Sequence, residues 1–530
     1  MQAGSDIPVW RKIGPSPPPA NPRQRVPILI IGAGPVGLTA ALDLGRRGHE
    51  VVVLNRLDFV AAGSKAICFA KRTLDIWNRL GVGDAIVEKG VIWNEGKVFW
   101  GDDPEPIYQF DMLPVKKQKM PGFVNIQQYH VEDRLLWALE AFPNVDIRWG
   151  HELTGIQAGP NGARARTVCQ AGSYDIDADW VLACDGAKSP TRTLMGLAFE
   201  GRVFEDNFLI ADIRMAGERP SERWFWFDPP FNRGRSALLH RQPDNVWRLD
   251  FQMGRGIDRE ACIKPEYVAD LICGMLGQHV EFCPEWYSIY TFECRRMARF
   301  VHGPVIFAGD SAHLVSPFGA RGCNGGIADI DNLAWKLDLV LRGLAQPGLL
   351  ESYNYEAIVA AQENILNSSR STDFMTPKCG ASSALRDAVL ELAREHSFAR
   401  PFVNSGRLSA PVSYPDSPLN TSDEAEANWR SVAPGSPAVD APTAAGWLLD
   451  KLGGDFVLLG RDFHDGPEGI RTLDVNSLGD VAALIEERYD LKTGSACLVR
   501  PDQYVAARWR APTRVGVERA LRRAMGDADE

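Results

Sequence analysis

The stretch at residues 305–326, VIFAGDSAHLVSPFGARGCNGG, constrains the fold more than any other part of the chain. Four apolar residues predict a buried strand that ends at Gly309 and Asp310. A glycine-rich turn then opens a helix at Cys323 and Asn324, whose apolar residues recur at three- and four-residue spacing. A carboxylate at a strand end therefore meets backbone N–H groups at a helix start, which suits a ligand with a polyol and an anionic end.

A second glycine-rich stretch, GAGPVG at residues 32–37, lies between a short apolar strand and a helical segment, and another strand follows. This order predicts a dinucleotide-binding βαβ unit, because residues without side chains let the backbone approach a pyrophosphate at the helix N-terminus. The residues placed to do so are Gly32, Gly34, Pro35 and Gly37. The acid expected about 20 residues on, at the ribose, is instead Asn55, followed by Arg56. An amide both donates and accepts, so the sequence predicts a weaker or differently arranged ribose contact.

A motif of the same style, CDG at residues 184–186, again follows an apolar strand, so in chain order GAGPVG is the first motif, CDG the second and the stretch at 305–326 the third. Asp-Gly alone is a common turn. Its place at a strand end favours a functional reading of Asp185, and Arg192 follows seven positions later. Lys65 begins a helical pattern and, considered alone, is typical of a solvated surface cation.

Composition narrows the class of protein. A length of 530 residues predicts about three domains, and the net charge of −10 argues against a nucleic-acid surface. Ten cysteines without a CxxC pair predict no metal site. The sequence has no apolar run near the 18 residues of a membrane span and no signal-peptide pattern, so we expect a cytoplasmic protein that binds small molecules.

The chain divides by composition into five parts. They are a proline-rich arm at 1–25, a dinucleotide-binding domain at 26–194 and 299–400, an aromatic-rich antiparallel sheet inserted at 195–298, a linker at 401–442 and a small α/β domain at 443–530. The inserted sheet is expected to roof the pocket. The predicted fold class is therefore α/β with an inserted sheet.

With GAGPVG, CDG and AGDSAH in this order, residues 26–400 resemble the class A flavoprotein aromatic hydroxylases. This group includes p-hydroxybenzoate, phenol and 3-(3-hydroxyphenyl)propionate hydroxylases. The resemblance implies a Rossmann-like FAD-binding fold with an inserted substrate-binding sheet. Residues 443–530 resemble the thioredoxin-like C-terminal domain of the phenol hydroxylase branch, and their lack of CxxC favours a packing or assembly role.

The resemblance also implies a reaction. NAD(P)H would reduce non-covalently bound FAD without a separate nicotinamide domain, and O2 would supply a C4a-hydroperoxide that hydroxylates a small phenolic substrate. Two alternatives stay open, a monooxygenase acting on a non-phenolic polyketide or N-heterocycle and a non-catalytic FAD-binding assembly protein. A flavin-dependent halogenase is disfavoured because the sequence lacks a WxWxIP string. The resemblance leaves a homodimer open.

The family motifs assign cofactor contacts residue by residue. The implied FAD-binding residues are Gly32, Gly34, Pro35, Gly37, Asn55, Arg56, Lys65, Gln128, Asp185, Arg192, Gly309, Asp310, Pro317, Gly319, Arg321, Gly322, Cys323 and Asn324. Asp310 would hold the ribityl chain, and the helix start at Gly322 would stabilise negative charge on the flavin. Asn55 stands where the family has an acid and Lys65 where it has arginine, so we predict a dissociable cofactor.

A base or cation near the substrate hydroxyl would favour the phenolate, which is the more reactive ring. His240 and Arg241, at the end of a strand in the inserted sheet, are the candidates. Asp250 and Tyr290 are weaker ones. A buried histidine is more often a satisfied core residue, so the assignment of His240 is a hypothesis.

Overall fold

The computed structural model describes most of the chain. The described residues are 9–21, 23–61, 66–111, 113, 115–215, 220–403, 410–423, 429–463, 466–479 and 482–527. Within them, the strands form two eight-stranded sheets, one four-stranded sheet and three smaller sheets. The architecture is mixed α/β, as the sequence predicted.

The first sheet contains the predicted βαβ unit. Its strands are Arg23–Ile31, Val51–Asn55, Val145–Trp149, Glu152–Gly159, Gly162–Cys169, Gly172–Ala183, Val301–His302 and Val305–Phe307. Five of them run parallel, while the hairpins at 152–183 form an antiparallel meander. The strand residues Ile28 to Ile31 are all buried, which is typical of a parallel strand covered on both faces.

The three sequence motifs lie side by side at one edge of the first sheet. Ala183 is the register partner of both Ile31 and Phe307, so the strands before the three motifs end level with one another. Because the carboxyl ends of parallel strands face the same way, the turns that follow converge. The sequence order strand, glycine turn, helix thus places all three motifs around one crevice.

The second sheet lies across that crevice. Its strands are Glu95–Trp100, Tyr108–Asp111, Glu200–Met215, Arg223–Phe227, Ser236–Arg241, Val246–Gly254, Phe282–Arg296 and His313–Leu314. The sequence predicted this sheet from residues 195–298 alone. Glu95–Trp100 joins it by pairing parallel with Arg223–Phe227, and such long-range pairing leaves no mark in the local sequence.

Alternation along the strands gives the second sheet two different faces. Leu239, Leu249 and Ala211 pack with the helix Pro265–Leu276 in a separate apolar core. The residues between them point to the opposite face, because successive side chains of a strand alternate. That opposite face looks onto the crevice.

Helices cover the sheets and connect them. Their bounds are Pro35–Arg46, Lys71–Arg79, Gly83–Lys89, Gln128–Leu139, Pro190–Leu194, Arg259–Cys262, Pro265–Leu276, Gly322–Leu341, Leu349–Met375, Gly380–Glu395, Arg400–Val403, Leu448–Lys451, Ala482–Tyr489 and Arg514–Ala524. The helix predicted after Cys323 begins at Gly322. Three short strands, Cys68–Ala70, Val91–Ile92 and Phe123–Asn125, form a further small sheet.

The C-terminal residues form an α/β unit of their own. Its sheet contains Val457–Gly460, Arg471–Asp474, Ala496–Val499 and Val505–Trp509, and an accessory hairpin joins Pro442–Thr443 to Gly446–Trp447. One face carries Leu459 and Val499 and the other Leu458 and Leu498, each in its own apolar cluster. The sheet is therefore covered on both faces, as a small domain requires.

A buried ion network attaches the C-terminal unit to the first sheet's helices. Arg500 contacts Glu356 through two nitrogens, at 2.6 and 3.0 Å, and Lys336 reaches the same carboxylate at 2.8 Å. All three side chains are fully buried. Burial opposes ionisation of Glu356, but the charges of Arg500 and Lys336 hold its pKa well below its usual range. Burial lowers the pKa of Lys336 to about 8.

The segments predicted as arm and linker both make contacts. Val9–Lys12 pairs with Phe59–Ala61, and Trp10 stacks on Tyr129 with ring centroids 4.2 Å apart. Val412, in the linker, accepts through its carbonyl oxygen from the hydroxyl of Tyr504 at 3.0 Å. The described residues 410–423 are therefore packed on the C-terminal unit, because their buried tyrosine and aliphatic residues outweigh a proline-rich composition.

Over the described residues, no helix is both long and apolar enough to cross a membrane. The same residues contain no group of three or more histidine, cysteine or acidic side chains arranged to hold a metal ion.

Candidate cofactor and substrate site

A cavity of about 400 Å³ lies between the carboxyl edge of the first sheet and the second sheet. Of the predicted cofactor residues, those that line it are Gly34, Pro35, Gln128, Asp310, Pro317, Arg321, Gly322, Cys323 and Asn324. The remaining described candidates, which are not in its lining, are Gly32, Gly37, Asn55, Arg56, Asp185, Arg192, Gly309 and Gly319. Lys65 lies outside the described residues. Some of the predicted cofactor residues thus line one cavity, and other described ones lie behind its wall.

The turn at residues 32–37 needs its glycines for different reasons. Gly32 has a φ of +103°, and a Cβ there would lie 2.5 Å from Cys184 O. A Cβ on Gly37 would lie 1.9 Å from Gly32 O, so the helix could not approach its own turn. Gly34 has no heavy atom within 4 Å of a built Cβ, and it faces the cavity just before Pro35 opens the helix. Its backbone is therefore open to a ligand.

Asn55 is tied to this turn by both ends of its amide. Its Oδ1 accepts from Ala33 N at 3.3 Å, and its Nδ2 donates to Leu57 O at 3.1 Å. A carboxylate could accept from Ala33 but could not donate to Leu57, because an ionised acid has no proton to give. The neighbouring Arg56 is exposed at the strand end.

Asp185 and Arg192 support the site from the second motif. Asp185 Oδ2 accepts from Thr191 N at 2.9 Å, and its Oδ1 is buried with no hydrogen-bond partner among the described residues. Burial raises the pKa of this carboxyl. Arg192 donates to Ser311 O at 2.6 Å and to Ala187 O at 2.8 Å. The guanidinium thus joins the second motif to the third, which is a scaffolding contact.

The third motif is held by a buried histidine–acid pair behind it. Asp329 Oδ2 accepts from Gly309 N at 2.9 Å and lies 2.7 Å from His313 Nε2. Gly309 has a φ of +64°, where glycine avoids strain. These contacts fix the backbone that carries Asp310 to the cavity wall.

The turn before the long helix uses its polar side chains to hold the backbone. Asn324 accepts from Ala70 N at 2.9 Å and donates to Cys68 O at 3.0 Å, so it pairs with a neighbouring strand. Arg321 Nη1 donates to Asn364 Oδ1 at 2.9 Å. Gly319 has a φ of +101°. The helix N-terminus at Gly322 therefore stands at the cavity with its first N–H groups available, as the sequence predicted.

These residues fit FAD. Two helices begin at the cavity wall, at Pro35 and at Gly322, and offer N–H groups to a pyrophosphate and to an electron-rich ring edge. The open space at Gly34 in the cavity wall is a feature that a polar ligand would fill. Gln128 lines the same wall, where it accepts from Ala66 N at 3.2 Å. The donor set and its order match an extended dinucleotide.

The second sheet supplies the opposite wall. A row of register partners crosses it, in which Arg223 faces His240, His240 faces Arg248, and Arg248 faces Asp212. All four residues are buried. An aromatic group, Phe208, Phe292 and Phe318, lines the cavity with ring centroids 4.9–5.7 Å apart. The wall is apolar with a charged row across it.

His240 lies in the cavity wall, where the sequence hypothesis places it. Its Nε2 is 3.2 Å from Asp250 Oδ2, and its Nδ1 is 4.0 Å from Cys68 Sγ. The Cys68 thiol donates to Asn125 Oδ1 at 3.1 Å. Burial lowers the pKa of His240 to about 4, and the charge of Arg223 acts in the same direction, against Asp250. The ring is therefore neutral at pH 7.

Arg241, the other predicted substrate-activating residue, is not in the cavity lining. It follows His240 in the strand, so alternation turns it to the other face, where it lies over the Trp247 ring and donates to Ser221 Oγ at 3.3 Å. The prediction for Arg241 is corrected accordingly. Sequence reasoning missed Arg223, Cys68 and Arg248, which line the cavity. The alternation of side chains along each strand could have indicated that Arg223 and Arg248 share a face with His240. The register between strands, which brings the three together, cannot be read from the sequence.

Comparison with known proteins bears on the whole site. The model of one protein family, described as FAD binding domain, matches residues 25–368. This range contains all three motifs, the whole second sheet and all but the first two residues of the first sheet.

Two relatives are similar over nearly the whole chain. A 3-(3-hydroxy-phenyl)propionate/3-hydroxycinnamic acid hydroxylase 2 of Burkholderia vietnamiensis is 27% identical, covering 95% of this chain and 97% of its own. A probable NADH-specific resorcinol 4-hydroxylase of Rhodococcus jostii is 27% identical, covering 92% and 93%. Both are named as hydroxylases of phenolic compounds.

A solved structure shares the fold. The flavin-dependent monooxygenase PieE, in complex with FAD and substrate, has a TM-score of 0.77 and 23% identity, covering 95% of this chain and 99% of its own. The likeness extends through the C-terminal unit.

Proposed function

The chain belongs to the FAD-binding domain family that residues 25–368 match, and from this premise we propose that it is an NAD(P)H-dependent monooxygenase that hydroxylates a phenolic ring. The relatives named as hydroxylases act on such rings, and one of them is named as NADH-specific. FAD, when bound, accepts hydride from the nicotinamide and activates O2 for transfer to the substrate.

One observation carries the proposal. A single cavity joins the helix start at Gly322 to the neutral His240 across an apolar wall. The cofactor side therefore supplies N–H groups and a ribityl acceptor at Asp310, while the substrate side supplies a proton acceptor. An aromatic hydroxylase needs both in the same enclosed space.

The residues of the chain then have separate roles in the reaction. The N–H groups at Gly322 would stabilise negative charge on bound FAD. The aromatic wall of Phe208, Phe292 and Phe318 excludes water from the reacting atoms. His240 Nδ1 takes the proton of the substrate hydroxyl, and Asp250 holds the ring by accepting from Nε2.

The domain roles belong to the same proposal. Residues 26–194 and 299–400 would be the cofactor domain and residues 195–298 most of the substrate sheet. Residues 443–530 would be a thioredoxin-like packing domain, which the sheet order and the ion network at Arg500 support. O2 as co-substrate, a cytoplasmic location and a homodimer are further expectations.

The experiment is a screen of phenols for stimulated NAD(P)H consumption by the FAD-loaded protein. Stimulation by a phenol, and weaker stimulation by its methyl ether, is expected because only the free hydroxyl can give its proton to His240. Equal stimulation by the phenol and its ether would refute the assigned role. No stimulation by any phenol would refute the assignment as a phenol hydroxylase.

A further inference from the structure

Arg223 differs from the other buried cation of the charged row. Arg248 makes two 2.7 Å contacts with Asp212, so its charge is matched by a bidentate partner. Arg223 is only 4% exposed, and its Nη1 donates to the thiol of Cys68 at 3.7 Å. Its Nε has no hydrogen-bond partner among the described residues. A guanidinium in the cavity wall is thus left with little but sulfur and aromatic rings.

The surroundings of Arg223 do not neutralise its charge. The rings of Trp93 and Phe225 lie 5.7 and 4.9 Å from it, and ring faces attract a cation only weakly. The carboxylate that acts on it electrostatically is Asp250, which is hydrogen-bonded to His240. Within the described residues, Arg223 has no carboxylate at ion-pair distance, unlike Arg248.

A buried charge without a partner is costly, and buried guanidinium groups in proteins are normally paired with an anion. Arg223 lines the same cavity as His240 and stands directly opposite it in the neighbouring strand. Side chains paired in this way lie roughly 5 Å apart at their Cβ atoms. A ligand small enough for the cavity would therefore reach both.

We propose that Arg223 binds an oxyanion of the aromatic substrate, either a carboxylate substituent or the ionised ring oxygen. The planar fork of a guanidinium suits a carboxylate, and a phenolate presents the same charge on one oxygen. The inference rests on the proposed function and specifies its substrate class.

Asp250 contributes a buried hydrogen-bond acceptor to the cavity wall. Its Oδ1 is buried and has no hydrogen-bond partner among the described residues, while its Oδ2 holds His240. The wall thus offers an unmet acceptor on one side of His240 and an unmet donor on the other. An aromatic ring with a hydroxyl and an anionic oxygen satisfies both, whereas an unsubstituted ring satisfies neither.

The first test uses the unaltered protein with excess FAD and reads ligand binding from the flavin absorbance. The probes are 3-(3-hydroxyphenyl)propionate and its neutral amide, which differ in charge but hardly in shape. For a carboxylate partner we expect the acid to bind at least ~10-fold more tightly, about 1.4 kcal/mol. A second probe, 4-nitrophenol, has no carboxylate and changes colour on ionisation. For a phenolate partner its pKa falls on binding.

Two variants separate Arg223 from its surroundings. Arg223→Gln is expected to abolish the acid-over-amide preference or to return the bound 4-nitrophenol to its solution pKa. Arg241→Gln, on the other face of the next strand, is the matched control and leaves both readings unchanged. The inference is overturned when the unaltered protein shows neither effect, or when Arg223→Gln preserves whichever effect is seen.

Binding and turnover distinguish this inference from the proposed function. An anion preference without stimulated NAD(P)H oxidation would support the Arg223 subsite and refute the hydroxylase. Stimulated NAD(P)H oxidation without any anion preference would support the hydroxylase and refute the Arg223 subsite. FAD content and thermal melting of Arg223→Gln check that the variant is folded, and the unaltered protein decides the question when it is not.

Discussion

His240 Nε2 lies 3.2 Å from Asp250 Oδ2 in the wall of the cavity. Since a carboxylate can only accept, the neutral ring donates from Nε2 and leaves Nδ1 as an acceptor. Burial keeps the pKa of the ring at about 4, so this state holds throughout the neutral range. One hydrogen bond thus sets the tautomer that the proposed proton transfer requires.

His240→Gln is expected to lower kcat/KM for a phenol by about 10²-fold at pH 7, within the usual range for a general base. The loss should shrink as pH rises, because the substrate then ionises in solution without help. The unaltered enzyme should show no step near pH 6.5, since a pKa lowered to about 4 leaves His240 unprotonated above that value. Steady-state rates from pH 5 to pH 9 check this, with Arg241→Gln as control. Parallel pH profiles for His240→Gln and the unaltered enzyme would contradict it.

The cofactor is expected to dissociate readily. The Asn55 amide already accepts from Ala33 N and donates to Leu57 O. It therefore makes a weaker hydrogen bond to a ribose than the acid found in the family. Gel filtration at low protein concentration should yield a flavin-to-protein ratio well below one, restored by added FAD. Stoichiometric retention of FAD through the column would count against this prediction.

Gly34→Ala should separate cofactor binding from folding. Among the described residues, no heavy atom lies within 4 Å of a Cβ placed at Gly34, and that Cβ would occupy the space where the ligand is expected to contact the backbone. The melting temperature without FAD should stay within a degree or two, while FAD affinity falls at least ~10-fold, about 1.4 kcal/mol. Gly37→Ala is the contrasting variant, since its Cβ would overlap Gly32 O and destabilise the fold itself. Unchanged FAD affinity in Gly34→Ala would show that the pyrophosphate lies elsewhere.

Arg500→Met should weaken the attachment of the C-terminal unit. Removing one partner of a buried ion pair costs about 3–5 kcal/mol, because Glu356 would keep its charge with one cation fewer. The control is Arg514→Ala, which removes the exposed 3.1 Å pair with Glu518 and should cost about 0.5 kcal/mol or less. Urea unfolding followed by tryptophan fluorescence measures both. Equal midpoints for the two variants would contradict the structural role of the network.

The common position of the three sequence motifs at one sheet edge could be predicted because each motif is local. A strand, a glycine turn and a helix follow one another along the chain, so Gly32, Asp185 and Asp310 could be placed at one sheet edge from their neighbours alone. Because the carboxyl ends of parallel strands face the same edge of a sheet, the turns that follow them lie together. The helix start at Gly322 followed from the same reasoning.

The substrate side could not be predicted in the same way because it depends on register between distant strands. His240 and Arg241 are adjacent in sequence, yet alternation sends one to the cavity and the other away from it. Arg223 becomes significant only when it is placed opposite His240 and found without a carboxylate partner among the described residues. Likewise, Glu95–Trp100 joins the second sheet through a pairing more than a hundred residues apart.

The most direct test of the account is the fate of isotope-labelled O2 in a reaction with FAD, NAD(P)H and a phenol that stimulates turnover. The account predicts an organic product that is heavier than the phenol by one labelled oxygen atom, formed in step with nicotinamide oxidation. Nicotinamide oxidation that yields only labelled hydrogen peroxide, with every phenol recovered unchanged, would contradict it.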